Sequence, residues 1–134
     1  MKSKGFTLVE LLAVLVILGI ILTIVTTSVF RILEDSKDSA YDSQLEMIKS
    51  SVKEYVSDNK RTLFEDKDAI CVSISDLYVE KYINEIPDDP RESDGTKLSE
   101  FLGYAVVRNE KSFEYILIQN VTDTDNENVK KYCK

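Results

Sequence analysis

The segment that most constrains this chain is Leu11 to Phe30, LLAVLVILGIILTIVTTSVF, which holds 20 consecutive residues without a charge. At about 1.5 Å per helical residue it reaches about 30 Å, the thickness of a hydrocarbon core. It is apolar on every side, as a helix in lipid must be. Gly19 is tolerated in such a helix, and Thr23, Thr26 and Thr27 can donate to carbonyls one turn earlier. What remains, Arg31 to Lys134, suffices for one small domain. A two-domain enzyme, a collagen-like chain and a wholly disordered chain are all excluded.

Lys2 and Lys4 precede the apolar block, and Arg31 follows it with Glu34, Asp35 and Asp38. The positive-inside rule counts the basic residues and puts the short N-terminus in the cytoplasm and the bulk outside. A secretory signal has a shorter apolar region and an Ala-x-Ala-like cleavage site. Here the run is longer, no Ala-x-Ala follows it, and only Thr26 to Ser28 are small. Glu10 stands at the head of the apolar stretch. A carboxylate costs about 2.5–3.5 kcal/mol at the membrane centre and less near the interface. By position alone Glu10 is either solvated at headgroup level or retained for a purpose.

The string Lys4-Gly5-Phe6-Thr7-Leu8-Val9-Glu10-Leu11-Leu12 resembles the class III signal of type IV prepilins and pseudopilins. That signal is a short basic leader ending in Gly, then Phe, then Thr-Leu-Val/Ile-Glu and an apolar run; every element is present in order. The resemblance implies cleavage after Gly5 by a prepilin peptidase and N-methylation of Phe6. Gly5 lets a protease approach the backbone closely. The cut removes Lys2 and Lys4, takes the formal charge from −7 to −9, and frees a cationic amine on Phe6. In a stack of such helices the Glu10 carboxylate can meet the Phe6 amine of the next subunit, so that two costly charges neutralise each other and fix axial register. The expected division is a leader at 1–5, a transmembrane and fibre-core helix at 6–30, and an extracellular domain at 31–134. Many family members carry a Pro that kinks this helix. Here none lies between Phe6 and Ile86, which leaves Gly19 as its weak point.

Beyond Arg31 the pattern becomes amphipathic. Tyr41, Leu45, Ile48, Val52, Tyr55 and Val56 form one stripe with charged residues between them. A continuous helix from about Phe6 to Val56 is expected, ended by Ser57 to Arg61 and followed by a polar loop to Asp68. Ala69 to Ile74 reads as a short strand. Ser75 reads as the N-cap of a helix to about Ile83, and Asp88 to Lys97 as a turn-rich loop. Tyr104 to Arg108 and Phe113 to Asn120 read as a hairpin joined by Asn109 to Ser112. Residues 129–133 suggest a last edge strand. A long helix on a small antiparallel sheet is α+β, and resembles the type IV pilin-like fold.

Cys71 and Cys133 both lie in the part expected outside, where a disulfide is permitted; pilins often carry a C-terminal disulfide-bounded loop, and this one is unusually wide. Two separate thiols are the alternative. There is no Cys-x-x-Cys for redox catalysis. Asp123, Asp125 and Glu127 alternate and invite a calcium reading, as in some secretion pseudopilins. The EF-hand pattern fails there, because Asn128 stands where Gly is needed and Lys134 where Glu is needed. A solvated acidic loop is the default, for Asp88, Asp89, Glu92 and Asp94 as well.

The chain has no histidine. That removes the Ser-His and Cys-His nucleophile pairs and most zinc sites. With no Gly-rich phosphate loop, it is not expected to be an enzyme. A balance of 24 acids against 17 bases also disfavours nucleic-acid binding through a general basic surface.

The expected role is a pilus subunit. It is held first by membrane lipid, then polymerised with its own copies by assembly machinery into a surface fibre for adhesion, biofilm formation or twitching motility. A pseudopilin of a type II secretion or competence DNA-uptake system is the neighbouring reading. A membrane-anchored extracellular binding module that never polymerises is the reading of another class.

Overall fold

A computed structural model describes residues 5–133. Lys2, Lys4 and Lys134 lie outside the described residues. The order of elements is α1 (Leu8–Leu63), β1 (Ala69–Ser73), α2 (Ile74–Val79), β2 (Gly103–Arg108), β3 (Phe113–Ile118) and α3 (Glu127–Tyr132). The chain divides after Asp38, inside α1, into two units.

The first unit is the apolar part of α1. Its large side chains are exposed throughout, from Leu8 to Leu33. Among the described residues α1 alone is long and apolar enough to cross a membrane, and none of its most apolar stretch is buried. The three threonines turn inward as expected. Thr23 Oγ1 donates to the Ile20 carbonyl at 2.7 Å, Thr26 to Thr23 at 3.0 Å and Thr27 to Ile24 at 3.0 Å. Each hydroxyl is thereby satisfied within its own helix.

The second unit, from Ser39 on, is an α+β head. Its sheet is antiparallel with strand order β1-β2-β3. Side chains alternate across it with the period of two that strands impose. Val72, Tyr104 and Leu117 share a row, as do Ile70, Val106 and Tyr115. These rows pack on the α1 stripe of Tyr41, Ile48, Val52 and Val56, joined by Phe64, Ile74, Leu77, Leu98 and Leu102. The opposite face, with Cys71, Ala105 and Ile116 in one row, is covered by Val129 and Tyr132 of α3. The sheet is therefore covered on both faces; the core residues of α1 and the strands follow the periodicity of their elements, whereas Phe64, Leu98 and Leu102 come from the connecting segments.

Four elements differ from expectation in their bounds or type: α1, α2, β3 and α3. Helix α1 begins at Leu8 and runs on to Leu63. The polar run Ser57 to Arg61 stays helical because its side chains have partners. Tyr82 Oη donates to Asp58 Oδ2 at 3.0 Å, and Asn59 Nδ2 donates to Tyr82 Oη at 3.2 Å and to the Tyr55 carbonyl at 3.0 Å. Lys60 and Arg61 sit in the last turn, where the helix dipole favours cations.

The short helix is capped by Ser73, not Ser75. Asp76 N donates to Ser73 Oγ at 3.1 Å and Ser73 N donates to Asp76 Oδ2 at 2.8 Å, a reciprocal capping box. This register buries both Ile74 and Leu77. The helix stops at Val79 because Lys81 turns left-handed at φ 63°. There Tyr82 N donates to the Leu77 carbonyl and Lys81 N to the Tyr78 carbonyl, a Schellman closure.

Strand β3 ends at Ile118, two residues before the expected Asn120. Residues 127–132 form a helix, not an edge strand. Asn126 Oδ1 accepts from Asn128 N at 2.9 Å and caps it, and Val129 and Tyr132 share a face at helical spacing.

Gly103 is fixed by close approach. Its backbone passes so near β1 that a Cβ would lie 2.1 Å from the Val72 carbonyl oxygen. The crossing carries the bond from Ile74 N to the Leu102 carbonyl at 2.8 Å, which leads β1 into α2.

Candidate assembly site at the start of the apolar helix

Gly5, Phe6 and Thr7 precede the helix and are exposed, Phe6 to 88 %. Nothing lies within 4 Å of where a Gly5 Cβ would stand. The Gly5–Phe6 peptide bond is thus on irregular, accessible backbone, which a protease can bind extended. One residue later the helix closes. Thr7 N donates to Glu10 Oε2 at 3.0 Å, Glu10 N donates to Thr7 Oγ1 at 3.3 Å, and Leu11 N donates to the Thr7 carbonyl at 3.2 Å. Thr7-x-x-Glu10 is a capping box, in which two orphan amides of the helix start are satisfied reciprocally. The carboxylate also sits in the first turn, where the helix dipole favours negative charge.

Glu10 is expected from the sequence to meet a charge in another subunit, and Thr7 to serve only as part of the motif. The structure joins Glu10 to Thr7. The Thr-x-x-Glu spacing before an apolar run was the signal for it. Chemically the site combines an exposed Gly5–Phe6 peptide bond just outside a helix with an acceptor whose two oxygens exceed what one capping amide needs.

The cysteines meet. Cys71 on β1 and Cys133 at the C-cap of α3 form a disulfide with Cα atoms 5.0 Å apart. It fastens α3 to the sheet face that holds Ala105 and Ile118.

Asp88, Asp89, Asp94 and Asp123 each have a local partner. Asp123 Oδ1 accepts from Asp125 N at 3.0 Å, and Glu127 opens α3. Asp88 pairs with Lys97 at 2.8 Å, which raises the Lys97 pKa. Asp89 pairs with Arg91 at 2.6 Å. The hydrogen bond from that guanidinium holds the Asp89 carboxyl below its ordinary range, while Arg91 stacks 3.6 Å above the Tyr41 ring. Asp94 accepts from the Thr96 hydroxyl and is likewise lowered. Among the described residues no three His, Cys, Asp or Glu side chains form a metal-holding group.

Residues 1–26 match the family model of the prokaryotic N-terminal methylation motif. No curated protein and no solved structure matches the chain. The match spans the leader, the capping box and most of the apolar run, so the chain carries the class III signal that type IV pilins and pseudopilins have in common.

Proposed function

We propose that this chain is a structural subunit of a type IV pilus, cut between Gly5 and Phe6, N-methylated on Phe6, and polymerised through its apolar helix into a surface fibre. The observation that carries this reading is the methylation motif set directly before an apolar helix with no protein around it. Such a helix needs lipid or copies of itself. Moving it from one to the other gains little hydrophobic free energy, because lipid tails are as apolar as leucine. Packing and the charged groups at its start must decide the transfer.

Cleavage makes an amine on Phe6, which is cationic at neutral pH and stays so when methylated. It lies near its own helix start, where the dipole is also positive. Glu10 is the nearest acid in sequence and is held at that end by Thr7. Its unused acceptor capacity suits the Phe6 amine of a neighbouring subunit, and the wrong axial step leaves both charges unpaired in an apolar core. With its N-terminus in the cytoplasm, the subunit presents the head outside, where the disulfide is stable.

Mass spectrometry of the native N-terminus tests this reading. A chain beginning at methylated Phe6 is expected, and an intact Met1 or a cut near Ser28 overturns it. Electron microscopy of sheared surface material then separates a pilus from a pseudopilus confined to the envelope, and both from an anchored module that forms no fibre.

A further inference from the structure

We infer that the outer edge of β3 pairs with β3 of a second copy of this chain, antiparallel and centred on Tyr115, so that two three-stranded sheets become one. The contact belongs to the head alone and needs no fibre.

Hydrogen bonds at the two ends of β2 fix which way each backbone group points. Arg108 N donates to the Asp68 carbonyl at 2.7 Å, and Ile74 N donates to the Leu102 carbonyl at 2.8 Å, so the even-numbered residues of β2 face β1. Asn109 N donates to the Ser112 carbonyl at 2.8 Å, so the odd-numbered ones face β3. Val107 lies opposite Glu114, Ala105 opposite Ile116 and Gly103 opposite Ile118. Those three residues of β3 therefore spend their amides and carbonyls on β2. Phe113, Tyr115 and Leu117 turn theirs outward. The sheet ends at β3, and among the described residues no hydrogen bond reaches these outward groups.

Natural sheets guard such an edge with lysine, proline, a bulge or a covering loop. Strand β1 has a guard: Ser73 N is bonded to Asp76 Oδ2 at 2.8 Å, and Glu65 and Asp66 line a cavity with Ile70 and Cys71 at its side. Strand β3 has none of these. Its sequence, Phe-Glu-Tyr-Ile-Leu-Ile, holds one charge, no glycine and no proline, which is the composition of segments that pair with their own copies. Lys53 lies 5.6 Å from the Tyr115 ring and so covers that ring rather than the backbone edge.

The strand is self-complementary in one register. With Tyr115 opposite Tyr115 of the second copy, Phe113 meets Leu117, and all three outward residues of each strand exchange hydrogen bonds. Aromatic and aliphatic side chains then stand opposite each other, and Glu114 stands opposite Ile116. Centring on Glu114 would oppose two like charges, and centring there or on Ile116 pairs only two outward residues of each β3. Two-fold pairing closes at two copies, so it differs from any contact that repeats along a fibre.

Crosslinking of the full-length chain in detergent tests the register. Cys71 and Cys133 are bonded to each other, so a single introduced cysteine supplies the reactive thiol. Glu114→Cys puts it on an exposed position one residue from the two-fold, about 7–8 Å from its copy. Glu110→Cys, in the exposed turn, lies about 30 Å from its copy. A short bismaleimide should give at least about tenfold more dimer from the first than from the second, with the intact native disulfide on a non-reducing gel as the check on folding. Amide exchange of the wild-type chain is followed at low and high protein concentration. Phe113, Tyr115 and Leu117 should slow at least about fivefold at the high concentration, while Glu114 and Ile116, already bonded to β2, stay unchanged. Equal dimer from the two cysteines, no dimer from Glu114→Cys, or outward amides that exchange alike at both concentrations would each overturn the pairing.

Discussion

Thr7 and Glu10 close the start of α1 on each other, amide to carboxylate at 3.0 Å and amide to hydroxyl at 3.3 Å. The residue that carries the expected intersubunit charge is therefore already employed inside its own subunit. Capping needs an acceptor oxygen; pairing with a cation needs a charge. The two tasks can be separated by substitution.

Glu10→Gln keeps a side-chain oxygen for Thr7 N and removes the charge. It should reach the membrane and be cleaved at wild-type levels but assemble poorly. Glu10→Ala loses both tasks, and Thr7→Ala mainly the cap, about 1 kcal/mol of helix stability. Membrane levels, N-terminal mass and fibre yield distinguish the three. A Glu10→Gln chain that polymerises normally would show that the charge has no part in assembly.

The disulfide holds a six-residue helix with a single buried residue, Val129. Cys133→Ser should lower the stability of the head by about 2–4 kcal/mol, as expected for a long closed loop. The loss should be local first: hydrogen exchange over Glu127–Tyr132 should accelerate far more than over β2. Uniform exchange across the head would mean that α3 is held by something other than the bond.

Two backbone positions should respond in opposite directions. Gly103→Ala drives a methyl into the Val72 carbonyl and should cost more than about 2 kcal/mol, because neither strand can move without breaking the sheet. Lys81→Gly relieves a left-handed residue at a C′ position that glycine prefers, and should stabilise by about 0.5–1 kcal/mol. Thermal melts of the two variants in the same buffer check both signs.

Burial pushes the Tyr104 hydroxyl up to about 12, against about 10 in the unfolded chain. The folded state thus holds the proton more tightly. The corresponding stability is complete below pH 10 and is lost as pH rises through about 12. Tyr104→Phe should cost about 1 kcal/mol at neutral pH, through the bond to the Leu45 carbonyl, and flatten the alkaline decline. On the acid side Asp89 is lowered, chiefly by the Arg91 hydrogen bond. Its contribution is present above the unfolded value near pH 4 and disappears as pH falls through the lower folded value. Arg91→Ala should shift the acid transition upward, read by circular dichroism.

Much of the architecture is decided by local pattern. An uncharged run of bilayer length, a Thr-Leu-Val-Glu string before it and the Tyr41-to-Val56 stripe each state one face and one environment, whatever the rest of the chain does. The alternation along β2 and β3 and the turn between them are of the same kind. The motif, the long helix and the antiparallel hairpin were therefore legible before any coordinates. Tertiary contacts decided what local pattern leaves degenerate. Ser57 to Arg61 reads as a helix stop until Tyr82, more than twenty residues away, supplies a partner for Asp58 and Asn59. Val129, Tyr132 and Cys133 stand at the i, i+3, i+4 spacing of a helix, which five residues alone cannot sustain; docking on Ala105 and Ile118, with Cys133 tied to Cys71, makes it one. Ser75 reads as the cap of α2, whereas burial of Ile74 with Leu77 sets the cap at Ser73. The stacking of Arg91 on Tyr41 also belongs to the fold, because nothing in the order of residues says that the Asp88 loop returns to that ring. Periodicity reports which side of an element is apolar; only packing reports what meets it.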